Sequence, residues 1–64
     1  MITKRQAVKI AKAAVGGGTV LQAQLEDQVR RPYWSIDVLF PPYEYEVHVD
    51  AYTGKVLKII RQHQ

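Results

Sequence analysis

The residues of this chain best equipped for chemistry are three carboxylates and a histidine. Glu44, Glu46 and His48 alternate along one short stretch, and Asp37 lies in the run before it. Paired carboxylates serve general acid–base catalysis, and carboxylates with an imidazole can hold a cation. Either role needs burial or a converging charge to shift a pKa. These four residues alternate with apolar neighbours, which places them on an open sheet face where nothing desolvates them. Ser35 and His48 can be cross-strand neighbours, a nucleophile beside a base, but no elbow or oxyanion loop accompanies them. Gly16-Gly17-Gly18 follows a helix-forming stretch where a phosphate loop would precede one, so it reads as a helix C-cap. The chain has no cysteine, and its two histidines, His48 and His63, need several converging carboxylates to make a metal site. We expect no catalytic, cofactor-binding or metal-binding residue.

Charge offers a second kind of chemistry. The net charge is +3. Lys4, Arg5, Lys9 and Lys12 stand among the first 18 residues with no acid, whereas the remainder holds five bases and six acids. Lys4 and Arg5 in a first helical turn oppose the helix dipole, at a cost of roughly a few tenths of a kcal/mol each. A nucleic-acid surface would explain that placement and is the alternative reading. Against it, Trp34, Phe40 and Tyr45 fall on the face a helix must cover, which leaves no exposed platform for stacking bases. Against a membrane surface, the apolar side of the helix is mostly alanine. A solvated helix back is the favoured reading.

These groups sit on a chain of 64 residues, enough for one domain spanning 1–64 and a thin core. Chains this short often lean on disulfides, metals or partner subunits. No stretch approaches the roughly 20 apolar residues of a membrane span. The opening Met1-Ile2-Thr3-Lys4-Arg5 runs directly into helix-forming sequence without a signal-peptide core, which fits a cytoplasmic protein and equally a mature or excised domain.

The positioning elements follow from periodicity. Thr3-Lys4-Arg5-Gln6 is a capping box, Ile2 can staple onto Ala7, and Ala7, Ile10, Ala11 and Ala14 recur on one side, so a helix is expected over 4–15. Thr19 to Asp27, Tyr33 to Phe40 and Tyr43 to Asp50 each alternate in hydrophobicity, as half-buried strands do. Pro41-Pro42 forces a turn. Asp50-Ala51-Tyr52-Thr53-Gly54-Lys55 is a hairpin loop in which Asp50 opens an Asx turn and Gly54 takes positive φ. Val56 to Ile60 is the last strand, and Arg61 to Gln64 a polar tail. Short connections give an antiparallel meander, an α+β fold in the order α-β-β-β-β, with the helix over Leu21, Leu25, Trp34, Ile36, Val38, Tyr45 and Val47. Glu44, Glu46, His48 and Asp50 should point outward.

Two segments, in this order and spacing, resemble a PepSY domain. One is the helix Ile2-Thr3-Lys4-Arg5-Gln6-Ala7-Val8-Lys9-Ile10-Ala11 running into Val15-Gly16-Gly17-Gly18. The other is Glu44-Tyr45-Glu46-Val47-His48-Val49-Asp50-Ala51-Tyr52-Thr53-Gly54-Lys55-Val56-Leu57, whose aspartate, threonine and glycine are the family's most recognisable stretch. The middle strand matches in pattern only, and Pro41-Pro42 stands where a polar turn would. The family occurs in propeptides of secreted thermolysin-like metallopeptidases and in bacterial envelope proteins. The resemblance implies a non-enzymatic unit, a protein partner such as a peptidase that it inhibits or chaperones, and a site outside the cytoplasm.

One pattern bears on partners directly. Val56-Leu57-Lys58-Ile59-Ile60 is apolar at both parities, while Tyr33 and Leu39 add bulk to the outer face. One helix covers one face, so apolar surface must remain on the other, and such surface marks protein contacts. The contact residues expected are Tyr33, Leu39, Val56, Lys58 and Ile60, with a heterologous protein or a second copy as the partner.

Overall fold

The chain enters its helix through Thr3, whose Oγ1 accepts from the Gln6 amide at 3.1 Å while Gln6 Oε1 accepts from the Thr3 amide at 2.8 Å. This reciprocal cap satisfies two donors that a helix start leaves unpaired. A computed structural model describes residues 1–63; the side chain of His63 and residue Gln64 lie outside the described residues. Helix α1 spans Lys4–Val15 and ends where the amides of Gly16 and Gly17 both donate to the Lys12 carbonyl. Strands β1 (Thr19–Glu26), β2 (Tyr33–Phe40), β3 (Tyr43–Asp50) and β4 (Val56–His63) then form one antiparallel sheet in the order β1-β2-β3-β4. The expected α-β-β-β-β architecture is the one observed.

The core is a single layer between helix and sheet. Ala7 and Ala11 of α1 meet Ile36, Val38, Val47 and Val49, all fully buried. Burying a valine or isoleucine is worth about 1.5–3 kcal/mol, so these four side chains carry much of the fold. The small alanines let the helix axis approach a sheet already filled by branched residues. Ile2, Val8, Ile10, Val15, Val20, Ala23, Trp34, Tyr45 and Val56 pack around the rim. Trp34 is thus a rim residue, half-buried, with its indole N–H donating to the Ile2 carbonyl at 3.3 Å. Ala14, expected on the apolar stripe, is exposed, and Val8 and Val15 take the inward places.

Two β-bulges revise the strand parities. In β1 the register with β2 shifts between Val20 and Gln22. Val20 opposite Val38 and Ala23 opposite Ile36 both face the helix, and the intervening Leu21 is 52% exposed instead of covered. In β4 the register with β3 shifts between the partners of His48 and Val49, so Val56 pairs with Val49 and Lys58 with His48, leaving Leu57 as the extra residue. A bulge inserts one residue and so resets which face follows it. Residues Arg61 to His63, expected in a polar tail, continue β4 opposite Tyr45, Glu44 and Tyr43. Phe40 lies beside Gly16 and Gly17 past the helix end and stays 39% exposed. β2 passes to β3 through Pro41-Pro42, joined by a cis peptide bond.

Asp50 departs furthest from its expected place. It is 1% exposed instead of facing solvent, because its carboxylate turns back into the hairpin loop. Oδ1 accepts from the Tyr52 and Thr53 amides at 2.8 and 2.9 Å, and Oδ2 accepts from Arg31 Nε at 2.7 Å. Its own amide and carbonyl bond Lys55 and Gly54. Next to it, the Ala51 amide donates to the Pro32 carbonyl, and the Ala51 carbonyl accepts from the Ile2 amide. Gly54, at φ 78°, lies under α1, where an added Cβ would come within 3.2 Å of Ile10 Cδ1.

Two predictions follow from this loop. Gly54→Val combines a left-handed backbone with a crowded site and should destabilise by more than about 1 kcal/mol, read from a urea unfolding midpoint. The Thr53 and Tyr52 amides, with Arg31 adding to them against desolvation, hold the Asp50 carboxyl down at about 2 from the ordinary 3.8. A depressed carboxylate contributes stability above its unfolded pKa, and that stability drains as pH falls from about 3.8 towards about 2. Asp50→Asn keeps an acceptor for the two amides but not the charge. It should be less stable than wild type at neutral pH, with the gap closing across that acid window.

Candidate functional site

The face of the sheet turned away from α1 is built as cross-strand rows. Gln24, Ser35, His48 and Lys58 form one, Gln22, Asp37, Glu46 and Ile60 the next, and Thr19, Leu39, Glu44 and Gln62 a third. Tyr33 flanks the first of these, opposite Glu26 and Asp50. Alternation along β2 and β3 aims these side chains outward, since Ile36, Val38, Val47 and Val49 occupy the inward positions.

At the centre the groups touch. His48 Nε2 lies 2.6 Å from Glu46 Oε2, and the Tyr33 ring stacks on the imidazole with centroids 4.4 Å apart and planes 25° from parallel. His48 is therefore half-buried by its neighbours and is no freely solvated surface histidine. Ser35 is its cross-strand partner, but the hydrogen bond that the imidazole makes goes to Glu46 and not to Ser35. Asp37 stands directly opposite Glu46, with Glu44 close by. Burial pushes the Asp37 carboxyl above its usual value, Glu46 and Glu44 push it further, and His48 partly opposes them. The expectation that nothing desolvates these carboxylates is therefore wrong for Asp37: flanking strands on both sides displace its water.

Among the described residues no cluster of acids and histidines has the convergence to hold a metal ion, and the surface is free of pockets. What this face offers is a broad, shallow, polar-aromatic surface. Tyr33, Leu39, Lys58 and Ile60 all lie on it, as expected, whereas Val56 does not: the bulge at Leu57 turns it to the helix side, where it packs on the core. The apolar residues left most exposed on the last strand are Leu57 at 41% and Ile59 at 45%. Ile59 pairs with Val47 and so belongs to the helix side. The basic residues Lys4, Arg5, Lys9 and Lys12 are exposed along the back of α1. Trp34 and Tyr45 pack against the core on the other side of the sheet from the open face.

A model of the PepSY family, the peptidase propeptide and YPEB domain, matches residues 1–60, and the chain belongs to that family of propeptide- and inhibitor-like modules. No curated protein and no solved structure matches the chain. Membership accords with a non-enzymatic role and with protein interaction, and members are typically extracytoplasmic. Among the described residues no helix is long and apolar enough to cross a membrane. The family's aspartate, threonine and glycine here are Asp50, Thr53 and Gly54, and all three close the hairpin; none reaches the open face.

Asp37 yields a test of the electrostatics of this face. A carboxyl whose pKa is raised on folding weakens the folded state above that pKa, and the penalty is relieved as pH falls through it. Asp37→Asn should accordingly raise the urea midpoint at pH 7, with the gain shrinking in the acid range. A variant less stable than wild type at neutral pH would mean that the carboxylate is held by contacts instead of repelled.

Proposed function

We propose that this domain is a non-enzymatic interaction module that docks on a peptidase, restraining or chaperoning it, through the open face of its sheet. The observation that carries this reading is the row in which Asp37 faces Glu46. Like charges directly opposite one another weaken a sheet, and a domain with so thin a core gains nothing structural from keeping them there. Sites that oppose stability are where function is most often found. Tyr33 beside the acids, with Leu39 and Ile60 at the flanks and Lys58 among them, gives the face the aromatic and aliphatic anchors on which interfaces depend. Family membership supports a peptidase as the partner and a location outside the cytoplasm.

The nucleic-acid alternative has the exposed Lys4, Arg5, Lys9 and Lys12 in its favour, but Tyr33 of the open face is half-buried and shares that face with carboxylates that repel phosphate. The deciding experiment titrates the domain into secreted thermolysin-like metallopeptidases and follows peptide hydrolysis. Inhibition should occur, with Tyr33→Ala and Leu39→Lys raising the inhibition constant by about tenfold or more and Lys9→Glu leaving it unchanged. Inhibition lost with Lys9→Glu but kept in the two face variants would move the contact to the helix. Salt-sensitive binding to a random RNA or DNA pool, without inhibition, would replace this reading with the alternative.

A further inference from the structure

The sheet ends in β4 on one side, and three observations about that strand point the same way. First, its helix side is left uncovered. Ala23, Ile36, Val47 and Ile59 form one continuous cross-strand row facing α1. Ile36 and Val47 are fully buried and Ile59 is 45% exposed, because α1 packs over β1, β2 and β3 and reaches β4 least. Second, β4 pairs along its length with β3 alone, so its other edge presents backbone donors and acceptors for a further strand. Third, its charges are compatible with its own sequence run in reverse. In an antiparallel pair between two copies, the residue on the two-fold axis faces itself. An axis at Lys58 or Arg61 sets like charges opposite each other, which is unfavourable. An axis at Ile59 sets Ile59 on Ile59, Lys58 on Ile60 and Leu57 on Arg61. An axis at Ile60 sets Ile60 on itself, Lys58 on Gln62 and Ile59 on Arg61, with the two Ile59 side chains in diagonal reach.

We propose that β4 pairs antiparallel with β4 of a second copy about a two-fold axis at Ile59 or Ile60, giving one continuous sheet with both helices on the same side. In an antiparallel pair, residues directly opposite share a face, so the axis stands perpendicular to the sheet and the uncovered Ile59 side chains meet between the two helices. The contact is isologous and closes at two copies. At the other edge Val20 and Ala23 of β1 are packed on the core and the exposed Leu21 is the bulged residue, which interrupts the ladder that a further strand would extend, while pairing of β1 with β4 would be head-to-tail and open-ended. The proposal is independent of peptidase docking, since it leaves the face bearing Tyr33 and Leu39 open in both copies.

The absence of native cysteine makes a direct test possible. Sedimentation of the full chain over a concentration series should show a monomer–dimer equilibrium, and Ile59→Lys should weaken it by at least about tenfold. In either register a lysine at position 59 meets a like charge, its own counterpart or Arg61. Native Trp34 emission in that variant reports that the fold is intact. Single-cysteine variants Ile59→Cys and Ile60→Cys should give a disulfide-linked dimer in at least one case, with Leu21→Cys on the opposite edge as the unlinked control. A wild type that stays monomeric at the highest concentration overturns the proposal. So does a dimer that survives Ile59→Lys, or one that cross-links only through Leu21→Cys.

Discussion

The structure depends on one carboxylate held inside a loop. Asp50 closes the hairpin between β3 and β4 through the Tyr52 and Thr53 amides, and it reaches across to Arg31 in the loop before β2. Ala51, beside it, ties Pro32 on one side and the amide of Ile2 on the other. Ile2 in turn accepts from Trp34 and packs against the core just ahead of the helix cap. Three segments distant in sequence are thus joined at one end of the sheet: the helix entry, the β1–β2 loop and the β3–β4 hairpin. A small domain without cysteine has few ways to fix the angle of a helix on a sheet, and here backbone hydrogen bonds around one turn do so. Gly54 completes the arrangement, since its left-handed backbone turns the hairpin and its missing Cβ spares a tight contact with Ile10.

The far end of the helix is fixed by contact instead. A Cβ at Gly18 would come within 2.6 Å of the Leu39 carbonyl, so the chain passes from helix to β1 at the closest backbone approach glycine permits. Between these two ends the alanine stripe of α1 settles onto Ile36, Val38, Val47 and Val49. Tight ends and a small-residue stripe explain how so thin a core suffices.

Much of this was legible in the residue pattern. Alternation in Tyr33 to Phe40 and Tyr43 to Asp50 located β2 and β3, the glycines located the helix end, and Asp50 with Gly54 announced the hairpin. The misplacements of Leu21 and Val56 share a cause: periodicity assumes an uninterrupted register. Leu21 and Leu57 are bulged residues, and neither carries a glycine or other local mark, because a bulge is decided by how two strands fit. Parity alone consequently puts Val56 on the wrong face. The same parity rule points Asp50 outward, although an Asx-turn residue folds its carboxylate back into the loop. The open face was identified from its residue types, but its internal contacts were not. The stacking of Tyr33 on His48 and the crowding of Asp37 by Glu46 depend on cross-strand register, which no single segment encodes.

The separation of the buried core from the open face has an evolutionary consequence. The buried core and the hydrogen bonds of the hairpin lie on the helix side or in the end loops, whereas Asp37, Leu39, Glu44 and Glu46 stand on the open face outside that core. Under the proposed docking of the open face, selection on folding and selection on recognition act largely on separate sets of codons. Lineages can exchange the outward residues to follow a changing partner while the aspartate, threonine and glycine of the hairpin stay constant. Such a scaffold diverges fastest where it makes contact, and its members would keep a common architecture long after their surfaces cease to resemble one another.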